Sequence, residues 1–85
     1  MNIGYHRDFK KVYRKLSKKL QEKFDERVLL FQQDQFKPIL NNHALTGKYL
    51  GYRSINITGD LRALYKKEGE EITFMILDSH SNLYG

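Results

Sequence analysis

In the stretch Tyr52-Arg53-Ser54-Ile55-Asn56-Ile57-Thr58-Gly59-Asp60-Leu61-Arg62-Ala63-Leu64-Tyr65 the hydrophobic period falls to two. Arg53, Ile55 and Ile57 alternate with Tyr52, Ser54 and Asn56, the pattern of a half-buried strand. Thr58-Gly59-Asp60 is a turn, since Gly and Asp accept the backbone conformations a tight reversal needs. Leu61–Tyr65 is a second strand, and Glu68-Gly69-Glu70 a second turn. Ile72-Thr73-Phe74-Met75-Ile76-Leu77 is the most apolar run in the chain. Being apolar on both faces, it reads as a third strand in the middle of the sheet. Three strands joined by tight turns make an antiparallel meander, and residues 1–5 are a candidate short edge strand.

Upstream of Tyr52 the period is helical. Phe9, Val12, Tyr13, Leu16 and Leu20 share one helix face, and Leu20, Phe24, Val28 and Phe31, with Leu30 beside them, form a second apolar series. Ser17 between the two is a candidate N-cap, which makes an antiparallel helix pair. One long helix is the alternative, because the period is hardly interrupted. Two are favoured, because both apolar faces must reach one core. Pro38 ends the helical region. Residues 37–51, with Pro38, Asn41, Asn42, Gly47 and Gly51, read as a loop that carries His43, anchored by Leu45 and Tyr49. The expected fold is α+β: two N-terminal helices packed on one face of a small antiparallel sheet.

The chain has 85 residues, enough for one domain, 1–85, with a modest core. Hydrophobic residues at 40% and charged residues at 29% fit a globular protein and argue against disorder. There is no apolar run long enough to span a membrane and no secretory h-region near Met1, so a cytoplasmic protein without membrane contact is expected. Cysteine is absent, which removes disulfide and thiolate chemistry. The net charge is +5, and residues 1–34 hold nine Lys/Arg against five acids. Such a basic half fits a polyanionic partner; a merely solvated Lys-rich helix face is the alternative.

Residues with catalytic potential gather in the C-terminal half: His43, Arg53, Asp60, Arg62, Asp78, His80 and Tyr84. Arg62 lies in an apolar strand and needs a carboxylate, a phosphate ligand or solvent; a salt bridge to Asp60 or Asp78 is the structural option. His80 and Tyr84 sit four residues apart on the tail that follows the apolar strand. They either complete an active site or, more simply, cap the strand and pack over a sheet edge. No nucleophile motif, P-loop or H-E-x-x-H is present. The three His residues (6, 43 and 80) are too far apart to define a metal site by spacing, and no metal or cofactor is expected. His6, beside the first helix, reads as a surface residue. RNA can supply its own nucleophile, the 2′-hydroxyl beside a phosphate. Cleavage then needs a base, a cation for the phosphorane and an acid for the leaving oxygen. His43 or Asp60, Arg62 and His80 are the right types, and Tyr84 could stack on a base.

The ordered set His43-Ala44-Leu45-Thr46-Gly47, Gly51-Tyr52-Arg53-Ser54, Gly59-Asp60-Leu61-Arg62-Ala63-Leu64-Tyr65 and Ser79-His80-Ser81-Asn82-Leu83-Tyr84-Gly85 resembles the RelE/ParE superfamily of bacterial type II toxins. Its YafQ-like mRNA endonuclease branch is the nearest in pattern. The motif match covers residues 43–85; the helical half matches in layout. The resemblance implies a metal-independent mRNA interferase that cuts in the ribosomal A site, leaving a 2′,3′-cyclic phosphate and a 5′-hydroxyl. It also implies a cognate antitoxin that neutralises the toxin and carries the complex to operator DNA. By position, His43, Asp60 and His80 match acid/base residues, Tyr84 a terminal aromatic, and Arg62 a basic residue at the scissile phosphate. Lys10, Lys11, Arg14, Lys15, Lys18 and Lys19, with Arg53 and Asn56, would meet ribosomal RNA or mRNA. One departure stands out: Asn56 occupies a strand position where the YafQ-like pattern often has His, and an amide cannot transfer a proton at neutral pH. A ParE-like inhibitor of DNA gyrase and a degenerate antitoxin-binding member are the alternatives.

Overall fold

A computed structural model describes residues Met1–Tyr84; Gly85, which closes the quoted tail motif, lies outside them. The elements in order are β1 (Asn2–Tyr5), α1 (Arg7–Lys15), α2 (Lys18–Gln33), β2 (His43–Ala44), β3 (Arg53–Asn56), β4 (Leu61–Glu68), β5 (Glu71–Ser79) and α3 (His80–Tyr84). Short 3-10 turns at Pro38–Leu40 and Gly47–Tyr49 flank β2.

The helical half is two helices, and the break is local. Ser17 caps α2, its hydroxyl accepting from the Leu20 amide at 3.2 Å. His6, read as a surface residue, caps α1: Nδ1 accepts from the Asp8 amide at 3.1 Å. The helices fold back on each other. Phe9 and Tyr13 both pack on Phe24, and the Tyr13 hydroxyl donates to Asp25 at 2.9 Å.

The sheet order is β1-β5-β4-β3-β2. The meander is antiparallel as expected, and residues 2–5 do form an edge strand, parallel to β5 with Ile3 opposite Ile72. The third strand of the meander is interior, as its apolar faces required, but β4 takes the middle place. Residues 37–51 are not all loop: His43 and Ala44 pair with Ser54 and Arg53. Buried Leu40 and Leu45 hold the segment in position, so two residues suffice for a strand that no period could reveal.

The core lies between the sheet and α1/α2. Phe74 is its hub, with ring centroids 5.6 to 5.7 Å from Tyr5, Phe9, Phe24, Phe31 and Tyr65. Truncating it to Ala would cost about 3–5 kcal/mol. Arg27 is buried beside this core and donates from Nε to the Ile57 carbonyl at 3.2 Å.

A bulge in β5 determines what faces the other side. Leu64 pairs with Ile76 and Tyr65 with Phe74, so Met75 has no partner. The extra residue reverses the alternation. Ile72, Phe74 and Leu77 therefore all reach the helix-side core, whereas Ile76 joins Leu45, Leu64 and Leu83 in a small second core on the opposite face. Asp78 follows Ile76 onto that open face, and α3 and the Gly47–Tyr49 turn cover part of it through Leu83 and Tyr49.

Candidate active site

Alternation along β3 and β4 places Asn56 and Arg62 on the open face, opposite Ile55 and Ala63 of the core. Asn56 pairs with Arg62, and Arg62 with Asp78, so the three form one row across β3, β4 and β5. The Asn56 amide oxygen is buried without a hydrogen bond. His43, paired with Ser54, shares this face one row away and two strands from Arg62, about 12 Å by strand spacing and rise.

The expected salt bridge of Arg62 does not form. Its guanidinium turns back over the β3–β4 turn, Nη1 donating to the carbonyls of Thr58 (2.9 Å) and Leu61 (3.3 Å), Nη2 to that of Gly59 (3.1 Å). The reason is competition. Asp78 Oδ1 accepts from the Ser79 amide at 2.7 Å and from Asn82 Nδ2 at 3.0 Å, which ties it to α3. Asp60 is exposed on the turn itself. Among the described residues no carboxylate pairs with Arg62, so a half-exposed positive charge is held by neutral dipoles.

The tail is tied to the same turn through the His80 backbone. The His80 amide donates to the Asp60 carbonyl at 2.8 Å, and the Ser79 hydroxyl caps α3 by accepting from the Asn82 amide at 3.1 Å. One helical turn later Tyr84 stands 4.9 Å from the His80 ring, centroid to centroid, and 6.1 Å from Tyr49. His80 is exposed and Tyr84 is 42% exposed, while Leu83 between them is buried. The tail thus caps the strand, holds His80 against Tyr84, and is anchored by its His80 amide to the turn that carries Asp60 and accepts the Arg62 guanidinium. The His43 ring is exposed, its Nδ1 2.8 Å from the Asn41 carbonyl. That contact places a proton on Nδ1 and leaves Nε2 as the basic nitrogen.

The remaining candidates lie elsewhere. Lys10, Lys11, Arg14, Lys15, Lys18 and Lys19 are all exposed on α1 and the first turn of α2, the layer on the far side of the sheet. Among the described residues none of the six is in an ion pair. Arg53 faces the helix side. Its Nε donates to Asn42 Oδ1 at 2.9 Å, and Asn42 in turn donates to the Tyr65 hydroxyl at 2.8 Å. The network fixes the start of β2 and hence the backbone of His43. Asn42, which fixes the start of β2, and Tyr52, which packs on the second core, carry roles that composition did not signal; Tyr49 is the expected anchor, packed on that same core. Among the described residues no three His, Asp or Glu side chains are placed to share a metal ion, and no helix is long and apolar enough to cross a membrane.

The geometry has counterparts among solved structures. YafQ from E. coli strain BL21(DE3) superposes with a TM-score of 0.79 at 22% identity, over 99% of this chain and 98% of that one. The YoeB/ParE toxin from Agrobacterium tumefaciens gives 0.72 at 19% identity, over 94% and 99% of the two chains. The toxin in the E. coli DinJ–YafQ toxin–antitoxin complex gives 0.71 at 23% identity, over 99% and 97%. At these identities the likeness is one of fold. No curated protein sequence matches the chain. The family model described as the YafQ bacterial toxin of type II toxin–antitoxin systems matches residues 1–85, and the chain belongs to that family.

Proposed function

We propose that residues 1–85 act as one toxin domain that cuts mRNA on the ribosome without a metal, and that a cognate antitoxin restrains it. The carrying observation is Arg62: a cation held by carbonyls of the turn that also holds Asp60 and anchors the His80 amide, without a carboxylate partner among the described residues. Such a charge suits a phosphorane, whose negative charge grows in the transition state. In the proposed reaction a base, His43 or Asp60, takes the 2′-hydroxyl proton. The 2′-oxygen bonds to phosphorus, the bond to the 5′-oxygen breaks, and His80 returns a proton to that oxygen. The products are a 2′,3′-cyclic phosphate and a 5′-hydroxyl. Tyr84 would stack on a base beside the cut. His43 stands apart from Arg62, so the RNA itself would have to span the two.

The unpaired cations of α1 and α2 suit ribosomal RNA, reached by the face turned away from the cut. Antitoxin binding is inferred from the toxin–antitoxin complexes of similar fold, DinJ–YafQ and YoeB–YefM; operator binding would follow through the antitoxin.

The test is translation of a defined mRNA in vitro with wild-type protein and with His80→Ala, mapping 5′ ends by primer extension. Codon-phased cuts that fall about a hundredfold in the variant are expected. Intact mRNA with wild type, together with inhibited gyrase supercoiling, would replace this reading with inhibition by binding alone.

A further inference from the structure

Tyr84 does not end the aromatic surface. Its ring lies 6.1 Å from Tyr49, and Tyr49 lies 6.2 Å from Tyr52, each pair edge to face at 85° and 88°. Lys48 Nζ sits 5.4 Å from the Tyr49 centroid and Lys66 Nζ 4.8 Å from that of Tyr52. Both lysines are exposed, and among the described residues neither has a carboxylate partner. The second core explains the inner edges of the Tyr49 and Tyr52 rings, which pack on Leu45, Leu64 and Leu83. It does not explain their outer sides. Among the described residues the tyrosine hydroxyls that bond within the fold are those of Tyr13 and Tyr65; Tyr49, Tyr52 and Tyr84 leave theirs to solvent. Beyond Tyr52 the surface dips into a cavity of about 370 Å³ floored by Met75 and Ile76 and edged by Asp78 and His6.

Tyr49 and Tyr52, half-buried rings each with a cation beside it, followed by the exposed ring of Tyr84, make a surface of the kind an unpaired strand of nucleic acid stacks on. Bases meet the rings and phosphates meet the lysines. A protein partner would instead favour a contiguous aliphatic patch; Leu45, Leu64 and Leu83 are turned inward, which leaves Leu50, 75% exposed, as the aliphatic side chain between Tyr49 and Tyr52 in sequence. We propose that Tyr49 and Tyr52, with Lys48 and Lys66, continue the Tyr84 site as a sequence-tolerant track for unpaired RNA leading away from the scissile phosphate. This rests on the RNA-cleaving reading and extends it by naming the path of the strand.

The test is fluorescence anisotropy of a labelled single-stranded 2′-O-methyl oligoribonucleotide, which lacks the attacking hydroxyl and measures binding without cleavage. Tyr52→Leu is expected to weaken binding roughly five- to a hundredfold, the scale of one lost base stack, and Tyr52→Phe to keep most of it. Lys66→Ser, at an exposed position that does not threaten the fold, should weaken binding and lower the salt slope by about one. Wild-type binding that none of these variants changes would overturn the track, as would no wild-type binding at low salt. Variants that lose antitoxin affinity while holding RNA normally would overturn it too, marking a protein interface. An oligonucleotide that binds through the track, with no mRNA cut on ribosomes, would support the track while removing the nuclease reading.

Discussion

Arg62 and Asp78 stand opposite each other on β4 and β5, yet each hydrogen-bonds elsewhere, Arg62 to the turn before it and Asp78 to the helix after it. A direct ion pair would have cancelled the one charge best placed to meet a phosphate. As arranged, the acid orders the tail and the base stays cationic beside it. The two residues therefore have separable effects, and mutation can tell them apart.

Arg62→Ala removes three bonds to turn carbonyls and the charge together. A half-exposed guanidinium contributes about 1 kcal/mol through such bonds, so the melting temperature should fall by only about 4–8 °C. Cleavage should fall by about a hundredfold or more at a temperature where the variant is folded. Circular dichroism and primer extension on one sample check both. Full-rate cleavage by folded variant would exclude Arg62 from the chemistry.

Asp78→Ala leaves Arg62 in place and frees α3, because Ser79 and Asn82 lose their common acceptor. The His80 ring protons, shifted by Tyr84 at 4.9 Å, should move towards free-histidine positions in the NMR spectrum. Cleavage should drop about tenfold through misplacement of His80. If the ring shifts stay as in the wild type, the acid does not hold the tail.

Asn56→His tests the departure at the row Asn56–Arg62–Asp78. An imidazole there adds a group that titrates near neutral pH. The rate should rise severalfold, and the pH–rate profile should gain an ionisation between about pH 6 and 7. An unchanged profile would mean that the row positions RNA and does not exchange protons.

On the helix side, Tyr13 gives a pH effect of a different kind. Burial raises its phenol above the ordinary value, and the hydrogen bond to Asp25 and that carboxylate's charge add to the rise. Tyr5 is raised by burial, then by the same carboxylate. A raised value favours the protonated, folded form. This stabilisation is complete below the unfolded phenol's value of about 10 and is lost as pH climbs through the folded one. Urea midpoints should hold steady to about pH 9 and fall beyond it, less steeply in Tyr13→Phe and Asp25→Asn.

Much of this molecule can be read from its residues, and the unread parts share a cause. Both long helices and the three meander strands announce themselves because their periods run for several residues. The Ser17 cap is legible because a hydroxyl at a break has one good use. The bulge is not: Ile72, Phe74 and Ile76 look like one face, and only the pairing of Leu64 with Ile76 shows that Leu77 takes the inward place. β2 and α3, two and five residues long, are too short for any pattern and exist because neighbours hold them. The same holds at the site. Residue types pointed to His43, Asp60, Arg62, His80 and Tyr84; the last four lie along the β3–β4 turn, the strand that follows it and the tail, and His43 lies two strands away from Arg62. The acceptors of Arg62 are backbone carbonyls, which no sequence displays, and the aromatic path through Tyr49 and Tyr52 depends on where α3 comes to rest.

The pairing of β1 with β5 joins Asn2 to Glu71 across nearly the whole chain. A ribosome making this protein releases the first strand long before its partner exists, and the β4–β5 hairpin beside the candidate site follows only after both long helices. Long-range closure of this kind is slow and comes late. A nascent copy therefore has neither a finished sheet nor an assembled tail until β5 and α3 have left the ribosome. If the finished protein attacks the translation machinery, that order delays harm to the ribosome that makes it and leaves a bound antitoxin time to arrive.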